Sequence, residues 1–224
     1  MKKVLDKMKE GLIVSCQALE NEPLFGSVHM KQMALAAQIG GAAAIRANSV
    51  VDIVAIKGVT DLPIIGLIKR KYKDSSIYIT PTIKEIDELL DTGCEIIALD
   101  ATNRKSPEKL SLKERVRYIH EKGRLAMADV SNYQEALQAQ KDGFDIISTT
   151  LSGYTDGPKV PLKPDFKLVN KLVKTIDKPI FAEGRIRNIG DIKKMRKQNP
   201  FAIVVGSAIT RPQEITKWFV EALK

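Results

Sequence analysis

The sequence predicts a (β/α)8 barrel of the TIM type, an α/β fold, and two observations support this prediction. Eight short apolar runs recur along the chain, and each one ends abruptly at a polar, charged or glycine residue. Most of these ends lead into a stretch with helical character, so strands and helices alternate from end to end. Parallel strands buried on both faces are apolar throughout, and such barrels place their chemistry at the carboxyl ends of the strands. We therefore expect the eight ends to surround one pocket.

The predicted elements follow one another in a regular order. The runs predicted to be strands are residues 12–14, 42–45, 63–68, 96–99, 125–128, 146–147, 180–182 and 203–205. The stretches predicted to be helices are residues 30–39, 49–57, 83–91, 107–121, 132–141, 165–175, 189–197 and 212–223. An open doubly wound sheet is the alternative. That fold needs a glycine-rich phosphate turn after an early strand, and none follows the first three runs.

Length and composition are those of an ordinary globular protein. The 224 residues fit one domain, spanning residues 1–224, close to the ~250 residues of a typical barrel of this kind. Cys16 and Cys94 lie at or beside predicted strands, and we expect both to be reduced thiols. The first ten residues lack the apolar segment of a signal peptide, and no apolar stretch nears the ~20 residues that cross a bilayer. We expect a cytoplasmic protein with no membrane partner.

The chain has a formal net charge of +9. Its basic residues are scattered rather than gathered in one stripe, and only 5% of its residues are aromatic, so we expect no nucleic-acid partner. The excess positive potential would instead draw an anionic small molecule toward the rim. The oligomeric state is open, and a homodimer is one expectation.

Glycines and arginines at the last two strand ends predict a phosphate site. In (β/α)8 barrels a phosphate commonly lies on the loops after strands seven and eight, against a helix N-terminus. Glycine allows the backbone to approach an anion, and free N–H groups donate to it. The residues expected to bind the phosphate are Gly184, Arg185, Gly206, Ser207 and Arg211.

Lys69 and Glu183 are the candidates for proton transfer, since both lie at strand ends and would face the same mouth. Arg70 and Lys71 follow Lys69 directly, and like charges with partial burial lower the pKa of a lysine toward neutrality, where it can act as a base. Glu183 could be the complementary acid or could bind a substrate hydroxyl. The alternative for Lys69 is a surface lysine at a strand end. The alternative for Glu183 is a carboxylate that pairs with a neighbouring arginine.

Four further residues end the remaining strands with polar groups. Gln17 and Arg46 supply an amide and a cation, which suit a polar ligand with an anionic end. Asp129 could be a metal ligand, a helix N-cap or an acceptor for a substrate hydroxyl, but Ser131 is itself a good N-cap. For Asp100, structural and functional roles remain equally open.

Histidine is too scarce for metal or triad chemistry. Of the two histidines, His29 starts the first helix and His120 lies near the end of a helix, on the far side from the rim. No His/Asp cluster converges on the strand ends, so we expect no metal, and no cofactor is needed. Among these kinds of chemistry, metal-free proton transfer by a lysine and a glutamate is the one that the sequence favours.

Two connections, residues 70–82 and 151–164, are longer than the roughly 2–6 residues usual after a strand in such folds. Both leave the rim, so both are candidate lids. Ordinary surface excursions are the alternative.

The strand ends taken together resemble those of bacterial N-acetylmannosamine-6-phosphate 2-epimerases. The similar segments are residues 12–18, 41–47, 62–70, 98–102, 126–129, 148–155, 183–186 and 204–212, and residues 155–163 are the least similar. The resemblance implies a barrel that inverts C2 of an N-acetylhexosamine 6-phosphate in sialic acid breakdown. It also implies catalytic roles for Lys69 and Glu183. The residues it implies in substrate contact are Gln17, Arg46, Asp129 and Arg211.

Two other functions remain as rivals. One is another metal-free barrel acting on a phosphorylated small molecule, such as a thiazole- or indole-phosphate synthase. The other is a catalytically inactive sugar-phosphate sensor. Retention of both Lys69 and Glu183 argues against the sensor.

Overall fold

The computed structural model describes residues 2–155 and 160–224, and its eight parallel strands form a closed barrel in sequence order. The predicted (β/α)8 fold is therefore confirmed. The strands are β1 (Leu12–Cys16), β2 (Ala44–Asn48), β3 (Ile64–Leu67), β4 (Ile96–Asp100), β5 (Leu125–Asp129), β6 (Ile146–Ser148), β7 (Ile180–Glu183) and β8 (Ala202–Val205). The barrel closes where β1 pairs with β8, with Ile13 opposite Val204.

Helices surround the barrel and connect its strands. They are α1 (Lys2–Met8), α2 (Ser27–Ile39), α3 (Val50–Lys57), α4 (Ile83–Thr92), α5 (Leu112–Glu121), α6 (Tyr133–Asp142), α7 (Phe166–Thr175), α8 (Ile189–Arg196), α9 (Ser207–Thr210) and α10 (Pro212–Glu221). The sequence predicts neither α1 nor the short α9. In the part of the chain that the structure describes, no helix is long and apolar enough to span a membrane.

One predicted helix start is wrong by several residues. The sequence predicts a helix from residue 107, but α5 begins only at Leu112. Ser111 and Glu114 form a capping box there: the Ser111 hydroxyl accepts from the Glu114 N–H, and the Glu114 carboxylate accepts from the Ser111 N–H. The first turn of a helix leaves its N–H groups without partners, so this reciprocal cap determines the boundary.

The barrel interior is filled by apolar side chains in layers. The buried members of this cluster are Met8, Ile13, Ala44, Ile65, Leu67, Ile79, Ile96, Ala98, Leu125, Met127, Ile146, Leu151, Phe181, Ala202 and Val204. Met8 comes from α1, so the N-terminal helix closes one end of the interior. Ile79 and Leu151 come from the loops after β3 and β6 and close the other end. A separate apolar cluster lies between the strands and the outer helices.

Strand periodicity then determines which residues face the mouth. Side chains two positions apart lie on the same face of a strand. The residues two positions beyond the last interior apolar residue of each strand are Ser15, Arg46, Lys69, Asp100, Asp129, Ser148, Glu183 and Gly206. The polar layer at the rim is thus the continuation of the apolar layers beneath it.

Arg46 corrects one strand boundary. The sequence predicts a strand that ends at Ile45, but β2 runs on to Asn48. Arg46 therefore lies inside the strand, with only 1% of its surface exposed. Cys16 and Cys94 are buried free thiols, and burial raises the pKa of the Cys16 thiol to about 12.

Candidate active site

A cavity of about 440 Å³ opens at the carboxyl ends of the strands. Lys69 after β3 and Glu183 at the end of β7 both line it, so the structure brings the two residues together. The other predicted residues that line this cavity are Gln17, Arg46, Gly184, Arg185, Gly206, Ser207 and Arg211. Asp129 is the exception, because its side chain is fully buried beside Arg46 and does not line the cavity.

Arg46 connects the carboxylates beneath the cavity. Its Nη2 lies 2.5 Å from Asp129 Oδ2, and its Nη1 lies 3.0 Å from Asp129 Oδ1 and 2.7 Å from Glu183 Oε2. The fork of two bonds to Asp129 is the geometry in which a guanidinium recognises a carboxylate. Burial works to lower the pKa of Arg46, but Asp129 and Glu183 outweigh it and raise the pKa. Arg46 is therefore a permanent buried cation.

Glu183 is a carboxyl group whose surroundings favour the protonated form. Burial raises its pKa above the ordinary range, and the nearby Asp129 carboxylate adds to the rise. Arg46, the Thr150 hydroxyl and Lys69 act in the opposite direction. The net rise keeps a proton available at higher pH than an exposed glutamate would, which suits a general acid.

Lys69 is shifted in the opposite direction. Burial, together with the cations Arg211 and Arg46, lowers its pKa from 10.5 to about 8, against the opposing effect of Glu183 and Glu22. None of the described residues pairs with its amine. The sequence predicts that Arg70 and Lys71 lower this pKa, and for Arg70 that prediction is wrong. The Arg70 guanidinium pairs with the carboxylates of α4, at 3.0 Å from Glu88 and in contact with Glu85.

The loops after β7 and β8 form the opposite side of the cavity. Gly184 has a φ of +111°, a conformation that other residues rarely adopt. Gly206 precedes α9, whose first amide groups have no partner within the helix. The Thr210 hydroxyl donates to the Ser15 carbonyl at 2.8 Å and holds α9 against β1. Arg211 lies at the end of α9, with its Nε 3.2 Å from Glu22.

The side chain of Arg185 is held by the loop after β6. Its guanidinium donates to the Lys163 carbonyl at 2.8 Å and to the Ser152 carbonyl. Arg185 also has a positive φ of 58°. The Arg185 side chain thus stabilises this loop. Its contact with a phosphate remains a prediction.

The two long connections border the cavity differently. The segment after β3 folds back so that Lys69 and Ile79 form an antiparallel bridge, and the Arg70 N–H donates to the Tyr78 carbonyl at 3.0 Å. Ile79 is buried and Tyr78 lines the cavity, so this segment forms part of the wall. In the predicted loop 151–164, Tyr154 lines the cavity, and residues 156–159 lie outside the described residues.

The cavity residues without a predicted function include Thr150, Arg187 and Trp218. Thr150 follows β6, and its hydroxyl contacts the carboxylates of Asp129 and Glu183. The sequence predicts no role for it. Arg187 and Trp218 lie at the outer mouth, with the guanidinium 4.9 Å from the ring centre. No local pattern could have found Trp218, because it reaches the mouth from α10 at the end of the chain.

The partners of Asp100 and His120 do not line the cavity. Asp100 accepts from the Thr102 hydroxyl at 2.6 Å and pairs with Arg104, and its side chain does not line the cavity. His120 pairs with Asp145 at 2.8 Å, just before β6 and therefore at the amino ends of the strands. Across residues 2–155 and 160–224, no three His, Cys, Asp or Glu residues form a group that could hold a metal ion.

The fold and the cavity place the protein in a class: (β/α)8 barrels with a lysine and a glutamate in one cavity and a cationic, glycine-lined rim. The profile of the family described as "Putative N-acetylmannosamine-6-phosphate epimerase" matches residues 30–224. A "Putative N-acetylmannosamine-6-phosphate 2-epimerase" of Clostridioides difficile (strain 630) is 58% identical over 221 residues, which is 99% of each chain. The chain belongs to this family of carbohydrate epimerases, which are isomerases.

Solved structures agree with this assignment. The structure of an N-acetylmannosamine-6-phosphate 2-epimerase from Clostridium perfringens matches with a TM-score of 0.95 and 57% identity, over 97% of this chain and 95% of that one. A thiamine phosphate pyrophosphorylase from Pyrococcus furiosus matches with a TM-score of 0.62 at 18% identity, over 99% of this chain and 100% of that one. The second likeness shows a shared fold alone.

Proposed function

We propose that the protein interconverts N-acetylmannosamine 6-phosphate and N-acetylglucosamine 6-phosphate by metal-free epimerisation at C2, as a step in sialic acid (N-acetylneuraminate) degradation. Membership of the epimerase family supports the substrate and the reaction. One structural observation supports the mechanism: Lys69 and Glu183 line one cavity, and their pKa values are shifted toward each other. Pairs of groups shifted in this way are typical of acid–base sites.

The chemistry needs a base near neutral pH. Opening of the sugar ring makes C1 an aldehyde, so the C2 hydrogen becomes acidic and its removal gives an enolate. Lys69, as the neutral amine, takes that proton onto Nζ. Return of a proton to the other face of C2 gives the epimer. Glu183, as the acid, either assists ring opening or supplies the returning proton, and the buried Arg46 cation next to it favours the developing negative charge.

Charge balance around Arg46 explains how this acid–base pair is maintained. The guanidinium forms its fork with Asp129, which leaves Glu183 and Lys69 to share one further proton. The pair can exist as ammonium and carboxylate or as neutral amine and carboxylic acid. Burial disfavours charge on both groups, so the neutral state competes near neutral pH. That neutral state is the one that can start the reaction.

The opposite side of the cavity would hold the 6-phosphate. We assign it to the backbone of Gly184, Gly206 and Ser207 and to the Arg211 cation, because glycine turns and free helix amides bind anions. A bound phosphate would orient C2 toward Lys69 and convert an encounter into a positioned reaction. Arg211 beside Lys69 would then also keep the pKa of the amine low in the free enzyme.

The test is NMR in D2O with N-acetylmannosamine 6-phosphate and a metal chelator. We expect the gluco epimer to form with deuterium at C2. Lys69→Ala and Glu183→Gln should lose both signals, and the exposed neighbour Lys71 provides a matched control as Lys71→Ala. Wild-type rates in Lys69→Ala would refute the mechanism. Absence of turnover by the wild-type protein would refute the function itself.

A further inference from the structure

The Thr150 hydroxyl lies at the centre of the acidic network under the cavity. Its Oγ1 is 2.7 Å from Asp129 Oδ1, 2.9 Å from Glu183 Oε2 and 3.1 Å from Arg46 Nη1. A fourth neighbour, Ser148 Oγ, lies at 2.9 Å. Four polar groups thus contact one hydroxyl, which has a single proton to donate and two lone pairs that accept.

Two carboxyl groups compete for that single proton. Arg46 can only donate, so it occupies one lone pair of Thr150. The hydroxyl can then donate to Asp129 or to Glu183, but not fully to both. When it donates to Asp129, an ionised Glu183 would place its lone pairs 2.9 Å from those of Thr150, which is repulsive. A protonated Glu183 removes the conflict, because its own O–H can donate to Thr150.

We propose that Thr150 is a positioning residue whose hydroxyl proton switches between Asp129 and Glu183 as Glu183 gains and loses its proton. The proposal rests on the proposed function, in which Glu183 acts as the acid. With Glu183 protonated, the hydroxyl donates to Asp129 and accepts from Glu183. After Glu183 has given up its proton, the hydroxyl turns and donates to the new carboxylate. Rotation about one bond thus satisfies Glu183 in both protonation states, and no covalent bond forms or breaks at Thr150.

The groups around Glu183 determine how strongly this switch affects its pKa. The charged groups that face it are Arg46 from β2, Asp129 from β5 and Lys69 after β3. Ser148 lies 3.4 Å from Glu183 Oε2, too far to replace the bond from Thr150. When the hydroxyl turns, Asp129 keeps its two bonds from Arg46, whereas Glu183 gains a bond about twice as strong as one between neutral groups, so the hydroxyl favours the ionised form of Glu183. Its loss should therefore raise the pKa of Glu183.

A titration without substrate tests the switch. Protein labelled with ¹³C at the glutamate carboxyl carbons gives a Glu183 signal that is identified by its absence in Glu183→Gln. Thr150→Val should raise the midpoint of this signal by about one pKa unit, the size expected for one hydrogen bond to a charged group. Thr150→Ser retains the hydroxyl and should restore the wild-type midpoint. An unchanged midpoint in a folded Thr150→Val protein would overturn the proposal, and so would a Thr150→Ser midpoint that matches Thr150→Val.

Kinetics supply the second measurement. Thr150→Val should lower kcat about tenfold with little change in KM, because the hydroxyl acts on Glu183 rather than on the bound phosphate. The acid limb of its pH profile should move with the NMR midpoint. A rise in KM with no change in kcat would contradict the positioning role. A failure of wild-type turnover would refute the proposed function alone, since the titration needs no substrate.

Discussion

Lys69 is the proposed base, and burial of its charge destabilises the folded protein. Its amine faces the cavity without a carboxylate partner among the described residues, while Arg211 and Arg46 raise the positive potential around it. The protein holds this group in a place where its charge is disfavoured. Active sites commonly retain such groups at the expense of stability.

The first prediction follows from this lowered pKa. Because the folded-state pKa, about 8, lies below the unfolded value of 10.5, the charged amine destabilises the folded state most below pH 8. The destabilisation fades as pH rises from 8 to 10.5. We expect Lys69→Met to abolish epimerisation and yet raise Tm at pH 7, with a gain that shrinks above pH 8. Thermal unfolding of both proteins across this range is the measurement.

Lys71→Met is the matched control for this experiment, since Lys71 is exposed two residues away. Its Tm should follow that of the wild type at every pH. A Lys69→Met protein that is less stable than the wild type at pH 7 would contradict the proposed cost of burying the amine.

At the scale of single elements, α1 is the clearest addition to the predicted fold. Its residue Met8 is completely buried and packs with Ile13, Ala44 and Ala202 at the closed end of the barrel. The Glu10 N–H donates to the Phe201 carbonyl at 2.7 Å and holds the turn after α1. The helix thus supports the barrel from the end opposite the cavity.

The second prediction concerns this support. Truncating a fully buried methionine leaves a cavity and costs about 2–5 kcal/mol, so Met8→Ala should lower the free energy of unfolding by that amount. Met8→Leu conserves volume and should cost less than about 1.5 kcal/mol. Urea unfolding measures both, and kcat should stay at the wild-type value because Met8 lies far from the rim. A loss of kcat without a loss of stability would show that α1 acts on the active site.

At the scale of the whole molecule, the net charge of +9 bears on how an anion reaches the cavity. Lys69, Arg187 and Arg211 line the mouth, so local and overall charge have the same sign. Clefts lined by one sign of charge raise the encounter rate with ligands of the opposite sign. The single-domain organisation over residues 1–224 and the homodimer remain predictions, and light scattering measures the latter directly.

The third prediction is a salt dependence. Raising ionic strength from about 0.01 M to 0.15 M shortens the screening length from about 30 Å to about 8 Å, so kcat/KM should fall while kcat stays constant. Arg187→Gln at the mouth should flatten this dependence. Lys197→Gln removes an equal charge after α8, at the amino ends of the strands, and should leave it unchanged. Equal slopes in the two variants would show that the local field at the mouth contributes nothing.

The sequence by itself determined the fold class, the approximate strand positions and nine of the residues that line the cavity. It could do so because buried parallel strands are apolar throughout and because a closed barrel brings every strand end to one rim. It also placed Lys69 and Glu183 together without coordinates. These features depend on local pattern and topology, which a single chain displays.

Only the tertiary structure decided which groups act on one another. The sequence made Arg70 the neighbour of Lys69, whereas the fold directs Arg70 to α4 and brings Arg211 to bear on Lys69 from more than a hundred positions away. It likewise joined Thr150 to Asp129 and Glu183, and it buried Asp129 beside Arg46. The physical reason is that electrostatic and hydrogen-bond energies depend on distances through space, and separation along the chain does not determine those distances.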